Sequence, residues 1–298
     1  MNLFLKIFSL AFLLFLLGSC ATSHPLTPGE EQAKSGESVG VVESQASVQL
    51  ASNIVSILGG VTTDADFSFF VQAEDGRTIH YDRGASGMDT EYESASTSKW
   101  VTTTIILSLV ERGFLSLDSR PQDFISWWPI SAGDPLYNIR LRDLLSFTSG
   151  LVTEPGGLDT MDNPFGTPSN CARAIALSNA NNGKTPATEF WYASTHLQVA
   201  GYMAVLARGA ADWQEVFKEF QDRTGYFPTA KYDLPSAKNP RLAGGMHWNA
   251  NEYVSFIRAS YYKRILTPSM HDLARSDQLV GMSVPFLGSP IRMRLGED

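Results

Sequence analysis

The segment Ser94-Ala95-Ser96-Thr97-Ser98-Lys99 places a serine three residues before a lysine, at the predicted start of an amphipathic helix. Residues three apart on a helix lie on one face, one turn apart, so the Lys99 amine can reach the Ser96 hydroxyl. The positive end of the helix dipole also favours negative charge that develops on a tetrahedral intermediate. The pattern therefore makes Ser96 a candidate nucleophile and Lys99 its candidate base.

This spacing of serine and lysine occurs twice in the sequence, so the candidate nucleophile has to be identified from the surrounding residues. Ser260 and Lys263 repeat it at the end of a predicted helix, where the geometry is wrong for activating a serine, and we interpret Lys263 as a solvated side chain. The sequence contains no G-x-S-x-G, H-E-x-x-H, phosphate-binding loop or G-x-G-x-x-G motif. Most other hydrolase and nucleotide-binding classes are therefore excluded.

The remaining pattern predicts one hairpin followed by many helices. Residues 67–73 and 78–81 flank Asp75-Gly76, a pair typical of a tight hairpin turn, and no second strong strand signal follows. Apolar residues at helical spacing predict a first helix over 47–58. Further helices are predicted near 96–111, 122–127, 141–146, 171–178, 196–208, 213–223, 249–262 and 268–276.

Three segments carry a family resemblance. They are the Ser96 segment, residues 111–118 (ERGFLSLD) and residues 139–151 (IRLRDLLSFTSGL), with a glycine-rich turn at 239–245. Together they resemble the class C β-lactamases, DD-peptidases and related esterases, the penicillin-binding-protein-like serine hydrolases. The resemblance begins near residue 47 and implies an α+β, β-lactamase/transpeptidase-like fold, in which an antiparallel sheet is flanked by an all-helical region.

The resemblance also implies further site residues. The second family motif is Y-x-N, and its best match is Tyr192-Ala193-Ser194, before a predicted helix. By this resemblance Tyr192 shares proton transfer with Lys99, while Ser194 binds substrate and orients Lys99. Serine in place of asparagine offers a hydroxyl instead of an amide, which favours ester over lactam substrates. Tyr253-Val254-Ser255 also fits the pattern but lies within a periodic helix, and we interpret it as packing.

The third family motif, K-T-G or H-x-G, does not occur in the sequence. Family members continue with C-terminal strands after the point that Asp298 reaches, so the sheet is expected to be incomplete at the C-terminus. The main hypothesis is a serine hydrolase that acts through an acyl-enzyme as a carboxylesterase, β-lactamase or D-peptidase. The alternative is a catalytically impaired, truncated β-lactamase-like binding protein.

The N-terminus is typical of an exported lipoprotein. Residues 1–20 combine Lys6, an apolar run and Leu17-Gly18-Ser19-Cys20, which resembles a lipobox with Cys20 as the lipidated residue. Residues 21–46 lack aromatic side chains and predict a flexible tether, followed by the hydrolase domain over 47–298. The expected location is the bacterial cell envelope, on the outer membrane if the cell is Gram-negative, with the domain in the periplasm or at the cell surface. An uncleaved anchor or an ordinary secretory signal is the alternative.

The composition and net charge limit the classes of partner that the protein can bind. A net charge of −8 argues against nucleic acid, and two cysteines exclude a disulfide framework and a cysteine-based zinc site. Cys171 is interpreted as a buried structural thiol. No metal or organic cofactor is implied, and the expected partner is a small ester, amide or peptidoglycan-like substrate. The sequence leaves the oligomeric state open.

Overall fold

The computed structural model describes residues 45–62, 65–156 and 160–282. The chain divides into two compact units, residues 1–53 and 54–298. Helix α1 (Gln45–Gly59) begins in the first unit, where Gln49 donates a hydrogen bond to Asn53. Within the described residues no helix is both long and apolar enough to cross a membrane. The signal peptide, Cys20 and nearly all of the tether predicted from the sequence lie outside the described residues.

The predicted hairpin is present in the second unit. Strands β1 (Phe67–Gln72) and β2 (Thr78–Arg83) pair antiparallel, with Phe67 opposite Arg83 and Gln72 opposite Thr78. Gly76 has φ of +87°, a conformation that glycine adopts without a steric penalty. The Asp75-Gly76 turn therefore forms where the sequence predicts it.

The structure also contains a second antiparallel sheet, which the sequence does not predict because no second strong strand signal follows the hairpin. It consists of β3 (Glu91–Glu93), β4 (Lys231–Tyr232) and β5 (Met246–Asn249) in the order β3-β5-β4. These strands are two to four residues long, too short to show the alternation by which strands are recognised. Their pairing comes from tertiary contacts between distant segments of the chain.

Helices make up most of the regular secondary structure outside the two sheets in the described residues. A 3₁₀ turn (Ala95–Thr97) leads directly into α2 (Ser98–Glu111), and the predicted helix at 122–127 is a 3₁₀ turn (Pro121–Asp123). Helix α2 is buried around most of its circumference rather than amphipathic, with Trp100 46% exposed near its start. The other helices are α3 (Leu141–Leu145), α4 (Pro168–Asn179), α5 (Thr195–Arg208), α6 (Trp213–Thr224), α7 (Ala250–Tyr261) and α8 (Pro268–Arg275).

Helix α5 lies at the centre of the helical layer. It packs against α2, α3, α4 and α6, and most of its side chains are fully buried, among them Leu197, Val199 and Met203. One apolar cluster runs from Val101 on α2 to Phe256 on α7. This packing confirms the α+β class and sets the N-termini of α2 and α5 in fixed positions.

Candidate active site

The predicted serine and lysine are in contact. Ser96 lies in the 3₁₀ turn and Lys99 in the first turn of α2, and Lys99 Nζ donates to Ser96 Oγ over 3.0 Å. Both side chains are only partly exposed. The structure therefore brings a basic nitrogen to the candidate nucleophile, as the three-residue spacing predicts.

Buried hydroxyl groups fix the turn that carries Ser96. The Ser94 amide donates to Met246 O over 2.8 Å, and the Met246 amide donates to Ser94 Oγ over 3.2 Å. Ser94 Oγ is also hydrogen-bonded to Ser98 Oγ, and both side chains are buried. The end of β3 is therefore tied to β5 and to the first residue of α2. Neither serine belongs to a motif, so the sequence predicts no role for them.

The second partner of Lys99 is a backbone carbonyl. Lys99 Nζ donates to Ala243 O over 2.8 Å, and one turn further along α2 Thr102 Oγ1 donates to Leu242 O over 2.6 Å. Both carbonyls belong to the glycine-rich turn, which is thereby fastened to α2. A Cβ at Gly245 would lie 2.3 Å from Leu234 O, so only glycine fits the turn without moving backbone.

Tyr192 lies beside Lys99 and presents its ring face. The centre of the Tyr192 ring is 4.8 Å from Lys99 Nζ, and the ring stacks on Phe147 with centroids 5.8 Å apart. The side chain is 58% exposed, and among the described residues its hydroxyl has no hydrogen-bond partner. The structure thus groups Ser96, Lys99 and Tyr192 through their contacts with Lys99, without a hydrogen bond between the tyrosine hydroxyl and either of the other two side chains.

A buried histidine supports the backbone before Tyr192. His196 Nε2 lies 2.8 Å from Trp191 O, and Nδ1 lies 2.8 Å from Ser149 Oγ. Because a carbonyl only accepts, Nε2 carries the proton and Nδ1 accepts from Ser149. Burial lowers the pKa of His196 to about 4. The ring also meets Phe147 edge to face, and Phe147 in turn stacks on Tyr192, the aromatic side chain that contacts Lys99.

Ser194 occupies the N-cap position of α5. Its backbone amide donates to Glu154 Oε1 over 2.8 Å. Within the described part of the chain its hydroxyl has no hydrogen-bond partner, and Lys99 Nζ donates its hydrogen bonds there to Ser96 Oγ and Ala243 O. The structure therefore does not bring Ser194 to Lys99 as an orienting group, and substrate binding by Ser194 stays a prediction. Glu154 and the Ala243 carbonyl were both missed, since neither belongs to a motif.

Aromatic residues line the other side of the serine turn. Trp248 Nε1 donates to Thr97 Oγ1 over 3.2 Å, and the Trp248 ring stacks on Tyr253 with centroids 4.6 Å apart. Burial raises the pKa of Tyr253 to about 12. The structure thus places Tyr253 in a packed stack, as the sequence analysis interpreted it. His247 Nδ1 donates to the Asp233 carboxylate, so this histidine ties β5 to the residue that follows β4.

Metal ligands are not grouped in the part of the chain that the structure describes. No set of three or more histidine, cysteine, aspartate or glutamate side chains there could hold a metal ion. Cys171, on α4, is 1% exposed. The side chains that the structure groups at this site supply a hydroxyl, an amine, a phenol and a carboxylate.

Comparison with known proteins identifies relatives. A family model described as Beta-lactamase matches residues 68–277. Among curated proteins the chain is similar to penicillin-binding protein 4 of Amycolatopsis lactamdurans, at 25% identity over 131 residues. That match covers 44% of this chain and 33% of the relative, so the chain spans about one third of the length of that protein.

Solved structures show the same architecture. The chain is similar to a candidate β-lactamase of Bacteroides dorei, at 25% identity and a TM-score of 0.64, over 82% of this chain and 72% of the other. It is also similar to EstCE1, described as a hydrolase with promiscuous acyltransferase activity, at 18% identity and a TM-score of 0.61, over 78% and 77% of the two chains. At 18% identity the second likeness concerns the fold alone.

Proposed function

The chain belongs to the β-lactamase family, a family of hydrolases, and we propose that it is a serine hydrolase in which Ser96 attacks an ester or amide carbonyl. The observation that carries this proposal is the 3.0 Å contact between Lys99 Nζ and Ser96 Oγ. A serine hydroxyl is a weak nucleophile on its own and needs an adjacent base. Lys99 is the basic side chain in that position.

As a neutral amine, Lys99 accepts the Ser96 proton while the serine oxygen bonds to the carbonyl carbon, and becomes an ammonium group. The Ala243 carbonyl, 2.8 Å from Lys99 Nζ, holds the amine in place for this transfer. Negative charge that develops on the carbonyl oxygen lies near the N-terminus of α2, whose dipole stabilises it. The resulting tetrahedral intermediate collapses to an acyl-enzyme when the leaving group departs with a proton.

Tyr192 supplies or relays that proton. Its ring already contacts Lys99, and its exposed side chain is not held by a hydrogen bond among the described residues. Catalytic hydrogen bonds are often long or misaligned without substrate and tighten when it binds. Water then attacks the acyl-enzyme, with the same groups working in the reverse direction, and releases the acid.

Esters are the substrate class that this site supports best. Ser194 stands where the family motif has asparagine, and a hydroxyl makes fewer hydrogen bonds to a substrate amide than a carboxamide does. Small amides and peptidoglycan-like D-peptides remain in the same reaction class. Attachment to the cell envelope through Cys20 is a separate proposal, which rests on the lipobox resemblance alone.

The test is covalent labelling with a fluorophosphonate probe. We expect the parent protein to be labelled, Ser96→Ala to be unlabelled, and Lys99→Met to be labelled roughly 10²–10⁴-fold more slowly, the usual contribution of a general base. Ser260→Ala is the matched control, because it removes the serine of the second S-x-x-K pattern.

Two results would oppose the proposal. Equal labelling of Ser96→Ala and the parent would show that Ser96 is not the nucleophile. A parent protein that neither reacts with the probe nor hydrolyses p-nitrophenyl acetate would favour the alternative of a binding protein with an impaired site.

A further inference from the structure

Phe147 lies just after α3 and has a φ of +61°, a left-handed backbone conformation that few bulky residues adopt. The amides of Phe147 and Thr148 donate to Leu144 O over 3.3 Å and to Asp143 O over 2.8 Å, respectively. These are the two bonds of a Schellman motif, in which glycine is the usual left-handed residue. Strain of this kind persists only where the surrounding structure holds it, and it is concentrated at functional sites.

The ring of Phe147 contacts three aromatic rings close to the candidate nucleophile. It stacks on Tyr192 with the ring planes 19° apart and the centroids 5.8 Å apart. The His196 ring meets it edge to face at 5.2 Å, and the Phe190 ring lies 6.2 Å away. The centre of the Tyr192 ring is in turn 4.8 Å from Lys99 Nζ. One aromatic ring therefore links the strained residue to the candidate base.

The backbone of Phe147 also holds the segment that leads to Tyr192. Phe147 O accepts the Trp191 amide over 2.9 Å, and Trp191 O accepts from His196 Nε2 over 2.8 Å. The first of these bonds does not depend on the side chain at position 147. A glycine there would therefore keep the backbone bond, relieve the strain and remove only the ring.

The side chain of Tyr192 depends on that ring for its orientation. It is largely exposed, and its hydroxyl has no hydrogen-bond partner among the described residues. Exposed side chains change rotamer rapidly unless a contact holds them. The contacts of the Tyr192 ring in the described part of the chain are the stack on Phe147 and the approach of Lys99. The stack therefore selects the orientation in which the phenol lies beside Lys99.

We propose that Phe147 is a positioning residue, which holds the Tyr192 phenol beside Lys99 for proton transfer. The proposal rests on the serine hydrolase function above. As the C–O bond of an ester breaks, the alkoxide oxygen takes the proton of the Tyr192 hydroxyl. The Lys99 ammonium, which carries the former Ser96 proton, then reprotonates the phenol. A leaving group that departs as a stable anion does not need this proton, so loss of the Phe147 ring is expected to slow the release of an alkoxide and to spare that of p-nitrophenolate.

The test compares kcat/KM for ethyl acetate and for p-nitrophenyl acetate. Both esters form the same acetyl-enzyme, and kcat/KM excludes its later hydrolysis because it reports the steps up to its formation. We expect Phe147→Gly to lower the value for ethyl acetate about 10²-fold, the effect of misplacing a catalytic group by about 1 Å. The value for p-nitrophenyl acetate is expected to stay near that of the parent. Phe147→Tyr keeps a ring and is expected to keep the parental ratio of the two values.

A second background shows whether Phe147 acts through Tyr192. Tyr192→Phe lacks the phenol proton, so adding Phe147→Gly to it is expected to leave the ratio of the two esters unchanged. If Phe147→Gly does not fold, Phe147→Asn replaces it, because asparagine also adopts the left-handed conformation and carries no ring.

The matched control is Lys263→Gly. Lys263 has a φ of +54° and occupies the same position in a second Schellman motif, at the end of α7, where its amide donates to Ser260 O over 3.2 Å. This change gives the same backbone relief away from the candidate active site. It is expected to keep the parental ratio of the two esters.

Several results would overturn the proposal. They are an equal loss for both esters with Phe147→Gly, no loss for either ester, and a further change of the ratio in the Tyr192→Phe background. A parent that hydrolyses p-nitrophenyl acetate but not ethyl acetate would also overturn it, because no proton then reaches the alkoxide. A parent that hydrolyses neither ester and does not react with a fluorophosphonate contradicts the hydrolase function itself, so the two failures are distinguishable.

Discussion

At the scale of single residues, His196 shows how the site depends on a group outside the reaction. Its ring is fully buried, donates to Trp191 O and accepts from Ser149. Both bonds are made by the neutral imidazole, and the buried position disfavours a charge. The peptide that precedes Tyr192 is thereby held by a side chain that resists protonation.

This burial predicts a loss of stability in acid. The pKa of His196 falls from an ordinary 6.5 to about 4 in the folded protein, so the unfolded chain binds the proton first as the pH drops. The contribution of neutral His196 to the free energy of unfolding is fully present above pH 6.5. It is lost as the pH falls from 6.5 to 4, and the loss approaches about 3 kcal/mol. Urea titrations across this range measure it.

The comparison that isolates His196 uses two variants. His196→Gln keeps a donor for the Trp191 carbonyl without a titrating ring, so its stability is expected to fall less steeply in acid than that of the parent. His80→Gln, at an exposed histidine on β2, is expected to keep the parental slope. An unchanged slope in His196→Gln would contradict this account.

Contacts between side chains of one motif could be predicted from the sequence, whereas contacts of the site residues with backbone groups could not. The Ser96–Lys99 contact follows from a three-residue spacing on one helix face. Nothing in the identity of Ala243 indicates that its carbonyl contacts Lys99, because every residue has a carbonyl. Glu154 was not predicted for a related reason. A single carboxylate in a loop shows no motif, and only the structure shows that it accepts the Ser194 amide.

At the scale of elements, long helices were predictable and short strands were not. Helices α5 and α6 begin and end within a residue or two of the prediction, since apolar spacing persists over three or more turns. Strands β3, β4 and β5 depend on partners far along the chain, as Lys231 pairing with His247 and Glu93 with His247 illustrate. Local patterns carry no such information.

The glycine-rich turn links backbone packing to the candidate active site, because it carries the Ala243 carbonyl that contacts Lys99. In Gly245→Ala the new methyl group would lie 2.3 Å from Leu234 O and 2.8 Å from Arg241 O. Backbone has to move, which is expected to cost about 1–3 kcal/mol of stability and to shift Ala243 O away from Lys99. Fluorophosphonate labelling should therefore slow more than the fraction of unfolded protein explains.

The matched substitution is Gly133→Ala, where the nearest atom to a new Cβ is Ser131 Oγ at 3.9 Å. It should label at the parental rate. Parental labelling by folded Gly245→Ala would show that the turn is not needed to position Lys99.

At the scale of the whole molecule, one apolar cluster links the helices that carry the site. Ile175 on α4 is fully buried in it, and Ile175→Ala removes three carbons that the surroundings replace only in part. We expect a loss of about 2–5 kcal/mol. The urea midpoints of far-UV circular dichroism and of probe labelling should fall together, because helices and site share this core. Separate midpoints would mean that the site unfolds independently.

The contact between Lys99 and Ala243 spans 144 residues of sequence. A chain that is still being synthesised, or that has collapsed only locally, can form α2 with its serine and lysine but cannot yet hold the amine in place. A contact between such distant segments closes a long loop, which costs conformational entropy. We therefore expect the serine to become reactive only once α2 and the glycine-rich turn have met, so that an incomplete chain would be acylated more slowly than the folded protein.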